Sequence, residues 1–189
     1  MPGAGTEAGG KGANPGPNDK EKKQDELTRQ TYIKQCPFDI LAGSRFHNGT
    51  DDYYYNKNYA GRTSGTDTPA GNVNTRDDGH ARVNHLNGFS AAVLVKTTEP
   101  EHEKTMVDAI IQDKRIKIIQ GKCINRGHEQ YLIDGEGGAR SMNKDLRTAA
   151  ANDINGISPE NKKKETYIEQ LEKVWGLTWN IYHGRDKKK

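Results

Sequence analysis

Apolar positions are spread unevenly along the 189-residue chain. Residues 1 to 17 hold six glycines and three prolines, and the charged run 18 to 26, "NDKEKKQDE", follows before the first large aliphatic residue, Leu27. Such a stretch buries too little surface to offset the entropy of ordering it, so residues 1 to 30 are predicted to form a disordered leader. The first core candidates are Tyr32, Ile33, Phe38, Ile40 and Leu41. From residue 50 a mixed pattern begins. The run Tyr53, Tyr54, Tyr55 with Tyr59 has strand-like aromatic content, and residues 56 to 58, "NKN", are the predicted turn of a tight hairpin. Residues 66 to 75 read as loop, and 76 to 86 as a short helix that puts Arg76 and His80 one turn apart on one face. Residues 89 to 97, "FSAAVLVKT", form a nearly continuous apolar run of the kind found in a covered sheet centre.

The second half alternates helices with one short strand. Thr98, Pro100 and Glu101 have the form of a capping box, predicting a helix that turns Val107, Ile110 and Ile111 to the core. Residues 115 to 119, "RIKII", predict a short strand. A helix is expected from about Gly127, with Tyr131, Leu132 and Ile133 mostly inward. The last helix starts at Ser158 and Pro159, carries the stripe Tyr167, Ile168, Leu171, Val174 and Trp175, and stops at Gly176. Trp175 and Trp179 read as core residues. The expected fold class is α/β (α+β), a small central sheet flanked by helices with an additional C-terminal helix. Residues 31 to 183 form its domain and 184 to 189, "GRDKKK", a basic tail.

Composition narrows the chemistry. Hydrophobic residues are 31% and charged residues 29%, with 21 glycines, so the packed part is smaller than the whole chain. A net charge of +3 does not by itself demand a nucleic-acid partner. Cys36 and Cys123 lie far apart without a CxxC or zinc-finger spacing, which argues against a structural zinc. No apolar run has bilayer length, and the N-terminal segment lacks a signal-peptide core. Export, if it occurs, is expected to depend on another carrier.

Tyrosines, an Arg–His pair and a later helical glutamate are the parts needed to cut a phosphodiester. The reaction must activate water, neutralise charge on the phosphate oxygens and protect the leaving oxygen. A phenol can hold or accept a proton, an arginine presents a planar fork of donors, and one carboxylate with waters suffices for Mg²⁺. In this light "YAG" at 59 to 61, Arg76 with His80, and "HEQYLIDGEGGARSMNKD" at 128 to 145 resemble the GIY-YIG endonuclease family. Residues 155 to 165, "NGISPENKKKE", are similar to the basic helical extension of intron-encoded members.

The resemblance covers residues 50 to 157 and implies a tyrosine pair on adjacent strands, with Tyr59 as the second and Tyr55 or Tyr54 as the first. It further implies Arg76 on the phosphate with His80 assisting, and Glu129 as the sole protein ligand of Mg²⁺ or Mn²⁺. Asn143 would buttress the site. Two departures stand out: only three residues separate Tyr55 from Tyr59, and residues 99 to 126 form a long insertion before the Glu129 helix. Because of the insertion, Glu99, Glu101 or Glu103 is an alternative carboxylate. The leader and small domain also resemble the toxin modules of bacterial secreted effectors, which act in the target-cell cytoplasm. That implies a cognate acidic immunity protein covering a basic cleft of Arg62, Arg76, Arg126 and Lys144, with Arg62, Arg126 and Lys144 contacting DNA.

Each residue also has a plainer reading. The tyrosines suit a half-buried sheet, Arg62, Arg76 and Arg82 suit solvent, and His85 and His102 suit the surface. His128 is a proton relay or a helix cap, and Glu129 can be a first-turn glutamate favoured by the helix dipole. Two other function classes remain open: a metal-independent ribonuclease using His80 or His85 as base, and a noncatalytic DNA-binding module.

Overall fold

The computed structural model describes residues 27–35, 57–80, 86, 88–143 and 148–178. Tyr53, Tyr54, Tyr55, Arg82, His85, Lys144 and Trp179, with Phe38, Ile40 and Leu41, lie outside them. The elements are β1 (Thr28–Gln35), β2 (Asn58–Gly65), α1 (Pro69–His80), β3 (Val93–Thr97), α2 (Glu101–Lys104), β4 (Met106–Ile111), β5 (Lys114–Ile119), α3 (Gln120–Gly135) and α4 (Lys164–Trp175). The class is mixed α+β. Among the described residues no helix is long and apolar enough to cross a membrane.

The main sheet is antiparallel in the order β2-β1-β3, so its centre is β1. The predicted leader therefore ends too late: β1 begins at Thr28, and Gln30 and Thr31 are fully buried. β1 is covered on both faces. Tyr32 and Lys34 look to α1, where Tyr32 meets His80 and Lys34 pairs with Asp77. Thr31 looks to α3 and bonds His128 (2.6 Å), while Arg29 clasps Glu103 with two hydrogen bonds of 2.6 and 2.8 Å.

Several sequence expectations are corrected. Of the turn predicted at residues 56 to 58, Asn58 is already strand, paired with Gln35 of β1, while residue 56 lies outside the described residues. Residues 66 to 75 are largely helix: Thr68 caps α1 through Gly71 N–H (3.1 Å), and Pro69 takes the first position, where its missing N–H costs nothing. The apolar run of β3 is a sheet edge, with Val93 59% exposed, since β1 occupies the centre. Residues 106 to 111 form β4 instead of a helix. Their inward positions alternate, Val107, Ala109 and Ile111, and a two-residue turn at Gln112 and Asp113, both at positive φ, returns the chain into β5. Ile110 consequently faces outward. Thr98 caps no helix; its hydroxyl accepts the Arg29 N–H (2.9 Å).

Helix α3 starts seven residues before the predicted Gly127 and lies between the sheet and α4. Gly127 is the point of closest approach, since a Cβ there would sit 2.7 Å from the Tyr167 carbonyl. Around it Cys123, Ile124, Ala109, Ile118, Ile157, Tyr167, Ile168 and Leu171 form the larger apolar cluster. The stripe expected on the last helix is the one observed, although the helix proper begins at Lys164, and Gly176 ends it at φ 64°. Trp175 packs against the edge of the cluster, with Lys96 over its ring.

Candidate active site

β2 is the outer strand of the sheet, and this lets residues from its two faces meet at one edge. Tyr59 and Gly61 lie on the α1 face, opposite Lys34 and Tyr32; Ala60 and Arg62 lie on the α3 face, opposite Ile33 and Thr31. The phenol of Tyr32 lies directly over Gly61, where any Cβ would strike the ring. That contact explains the glycine of "YAG" without a role in chemistry. The outward N–H and C=O of Ala60 are both bonded to the side chain of Asn152 (2.9 and 2.8 Å), and Ala151 N–H reaches the Asn58 carbonyl. Residues 150 to 157 thus cover the strand edge. Gln130, fully buried, fixes that cover by bonding Asp134, Asn155 and the Ile157 N–H.

A cavity of about 600 Å³ opens at this edge, lined by Tyr59, Arg62, Arg126, Glu129, Asp153 and Asn155 among others. Glu129 projects from the third turn of α3, so the helix dipole has no hold on it, and Arg62 Nε donates to its Oε2 at 2.6 Å. Burial pushes the Glu129 carboxyl above the usual carboxylate range, against the opposing pull of Arg62, Arg126 and Arg76. Burial likewise raises the Tyr59 phenol, with the Glu129 charge adding to it. Tyr32 is raised for the same first reason, although Arg76 hydrogen-bonds its hydroxyl.

Behind Tyr59 stands a polar chain. The His80 ring lies edge-on to Tyr59, with centroids 5.7 Å apart, and its Nε2 is 3.2 Å from the Tyr32 hydroxyl. Its Nδ1 is 3.8 Å from Asp77 Oδ1. Desolvation alone would raise the Asp77 carboxyl; hydrogen bonds from Lys34 and the Ala92 N–H hold it below its ordinary range. A lasting carboxylate therefore sits beside the imidazole.

Of the residues expected from the sequence, the structure brings Tyr59, Arg76, His80, Glu129, Arg62 and Arg126 into one neighbourhood. Tyr55 and Lys144 fall outside the described residues. Asn143 stands apart: it donates to the Gly137 carbonyl (2.7 Å) and to Thr148 Oγ1 (3.0 Å), bracing the turn after α3. The asparagine that reaches the tyrosine strand is Asn152. Glu103 is engaged by Arg29, and His102 accepts the Glu99 N–H. His128 caps no helix; it lies mid-helix, buried, and its own burial with the nearby Lys96 charge lowers it to about 4.

Sequence reasoning missed Tyr32, Asp77 and Asn152 as site residues. Tyr32 was legible only as an apolar position, because nothing local says that residues 28 to 35 pair with 58 to 65. For Asp77 the signal was its place three residues before His80 on the same helix; for Asn152 there was none.

The donor set suits a hard divalent cation: Glu129 gives Arg62 only one of its two oxygens, and Asp153 and Asn155 line the same cavity with further oxygen atoms. Among the described residues no three His, Cys, Asp or Glu side chains are grouped so as to hold a metal ion. Comparison with protein-family models, curated proteins and solved structures finds no match for the chain.

Proposed function

We propose that the protein is a metal-dependent endonuclease of GIY-YIG type that hydrolyses phosphodiester bonds of DNA. The observation that carries this reading is the convergence of two tyrosines on adjacent strands, Tyr32 of β1 and Tyr59 of β2, with Arg76 of the first helix and Glu129 of a later one. A tyrosine pair, an arginine and a helical glutamate are among the groups the family resemblance implies. Tyr32 replaces Tyr55 as the partner of Tyr59 in this proposal, since it is the one seen beside it. Glu129 remains the carboxylate of this proposal, the alternative Glu103 being held by Arg29 through both of its oxygens.

The roles follow from protonation. With both phenols raised by burial, they are neutral at pH 7, so Tyr59 at the cavity wall positions the attacking water as a hydrogen-bond partner. His80, buried behind the phenols, is the base of the set: the proton released as water attacks phosphorus reaches its Nε2 by way of the Tyr32 hydroxyl, which passes on its own proton as it accepts one, and Asp77 stabilises the imidazolium. Arg76 binds a non-bridging oxygen, and the bond to the leaving oxygen breaks on the opposite side. A Mg²⁺ or Mn²⁺ ion at Glu129 would neutralise charge on the phosphate and the leaving oxygen. The likeness to effector toxins extends the proposal to delivery into a target cell and to an acidic immunity protein covering Arg62, Arg76 and Arg126.

The His80–Asp77 pair also favours a second reading, a metal-independent ribonuclease with His80 as base. Purified protein incubated with supercoiled plasmid, with and without chelator, separates them. Nicking is expected in Mg²⁺, abolished by chelator, and reduced roughly 10²- to 10³-fold in Glu129→Ala and Tyr59→Phe. Both variants nicking at the parent rate refutes the site. Intact plasmid with RNA degraded in chelator moves the assignment to the ribonuclease.

A further inference from the structure

A second cavity, of about 510 Å³, lies beside the first and shares Arg62 and Arg126 with it. Four further cations line it: Arg29 of β1, Lys117 of β5, Lys122 of α3, and Lys163 just before α4. Among the described residues no carboxylate lines it. Arg29 and Arg62 are neutralised by Glu103 and Glu129, and Lys117 only loosely by Asp108 at 3.9 Å. Lys122, Arg126 and Lys163 have no ion-pair partner among the described residues. Separate elements thus hold uncompensated like charges around one concavity, which focuses a positive field there. Such an arrangement is unfavourable for the chain alone and is relieved by an extended anion.

We propose that this trench holds the sugar-phosphate backbone of the nucleic acid on one side of the bond cut at Glu129, without regard to base sequence. The continuity through Arg62 and Arg126 gives the strand its path from one cavity to the other. The lining favours phosphates over bases. Its aromatic residue, Tyr167, is 6% exposed with Arg126 over its ring at 5.8 Å, so no open face is offered for stacking. Lys117 belongs to the hairpin inserted before α3, and Lys163 to the basic run 162 to 164, so both features acquire a use.

The inference rests on the nuclease reading for the position of the cut, but its test does not. In a Glu129→Gln background, binding of a fluorescein-labelled oligonucleotide of about 20 nucleotides is followed by anisotropy across a salt series, as single strand and duplex, DNA and RNA. Lys122→Glu with Lys163→Glu is expected to weaken binding at least about tenfold and to lower the slope of log K against log salt by about one per lysine. Lys114→Glu with Lys173→Glu, equal in charge but outside the trench, is expected to change neither. Scrambling the sequence is expected to leave the affinity within about threefold. The double glutamine variant repeats the measurement should the reversals fail to fold by circular dichroism. Equal slopes for the trench and control pairs overturn the proposal even if plasmid nicking depends on Glu129. A lowered slope without nicking by the parent upholds the trench and refutes the nuclease. Failure of the Glu129→Gln protein to bind any oligonucleotide overturns the trench and leaves its charge to an acidic protein.

Discussion

The two sides of α3 are built differently. Toward α4 and the β4–β5 hairpin, Cys123 and Ile124 join a broad apolar cluster that includes Leu171, Ile168 and Tyr167. Toward β1 and β2, the apolar contacts shrink to Ile133 with Ala60, Ala139 and Ala150, and polar bonds do the joining: Asn125 to the Gln30 carbonyl, His128 to Thr31, Glu129 to Arg62. Apolar burial is non-directional and worth roughly 25 cal/mol per Å², whereas a hydrogen bond nets only about 1 kcal/mol but fixes geometry. The first side stabilises the domain. The second holds charged groups where folding alone would not leave them.

The sharpest way to break this contrast is Leu171→Ala. It removes a fully buried side chain from the apolar side and is expected to cost about 3 kcal/mol in urea unfolding, with kcat/KM unchanged well below the transition. A loss below about 1 kcal/mol would show that the cluster is not the stabilising half.

His128 tests the polar side by pH. Its folded value, about 4, is depressed from 6.5, so the neutral ring contributes stability above pH 6.5 that is lost as pH falls toward 4. At about 1.4 kcal/mol per unit the loss amounts to roughly 3 kcal/mol. In His128→Gln this part of the stability profile is expected to flatten; an unchanged slope between pH 6.5 and 4 would refute the assignment.

Asn152→Ala leaves both the N–H and the C=O of Ala60 without their side-chain partner, at an expected cost of about 2 kcal/mol. Because Ala60 adjoins Tyr59, nicking should fall more per unit of stability lost than in Leu171→Ala. Equal activity in the two variants would remove the distinction between the halves.

The gentlest test is Arg62→Ala. If Glu129 must be ionised for activity, the rate falls on the acid side as pH drops through its raised value. Arg62 opposes that rise, so deleting it is expected to move the acid limb of kcat/KM to higher pH. A limb that stays in place or moves lower would separate Glu129 from the rate.

Local patterns in the sequence were enough for the apolar stripe of the last helix and its glycine stop, for β5, and for the shared helix of Arg76 and His80. Each depends on a spacing within a turn or two of helix or one strand, which the covalent chain sets by itself. The same locality misled where two periods competed: Val107 and Ile111 suit a helix face as well as alternate strand positions, and only the pairing of β4 with β5 decided between them. The apolar run of β3 looked central and is an edge because a more polar strand, β1, has partners on both sides.

What only the tertiary structure decided is which distant residues share a cleft. Tyr32 meets Tyr59 and His80 through a pairing of residues 28 to 35 with 58 to 65, Asn152 reaches Ala60 from 92 residues away, and Glu129 comes to Arg62 across 67. Composition and periodicity fix which face of an element is apolar. They do not encode the register between elements far apart in the chain, because that register is chosen by the summed packing of the whole domain, and the site exists only where those choices intersect.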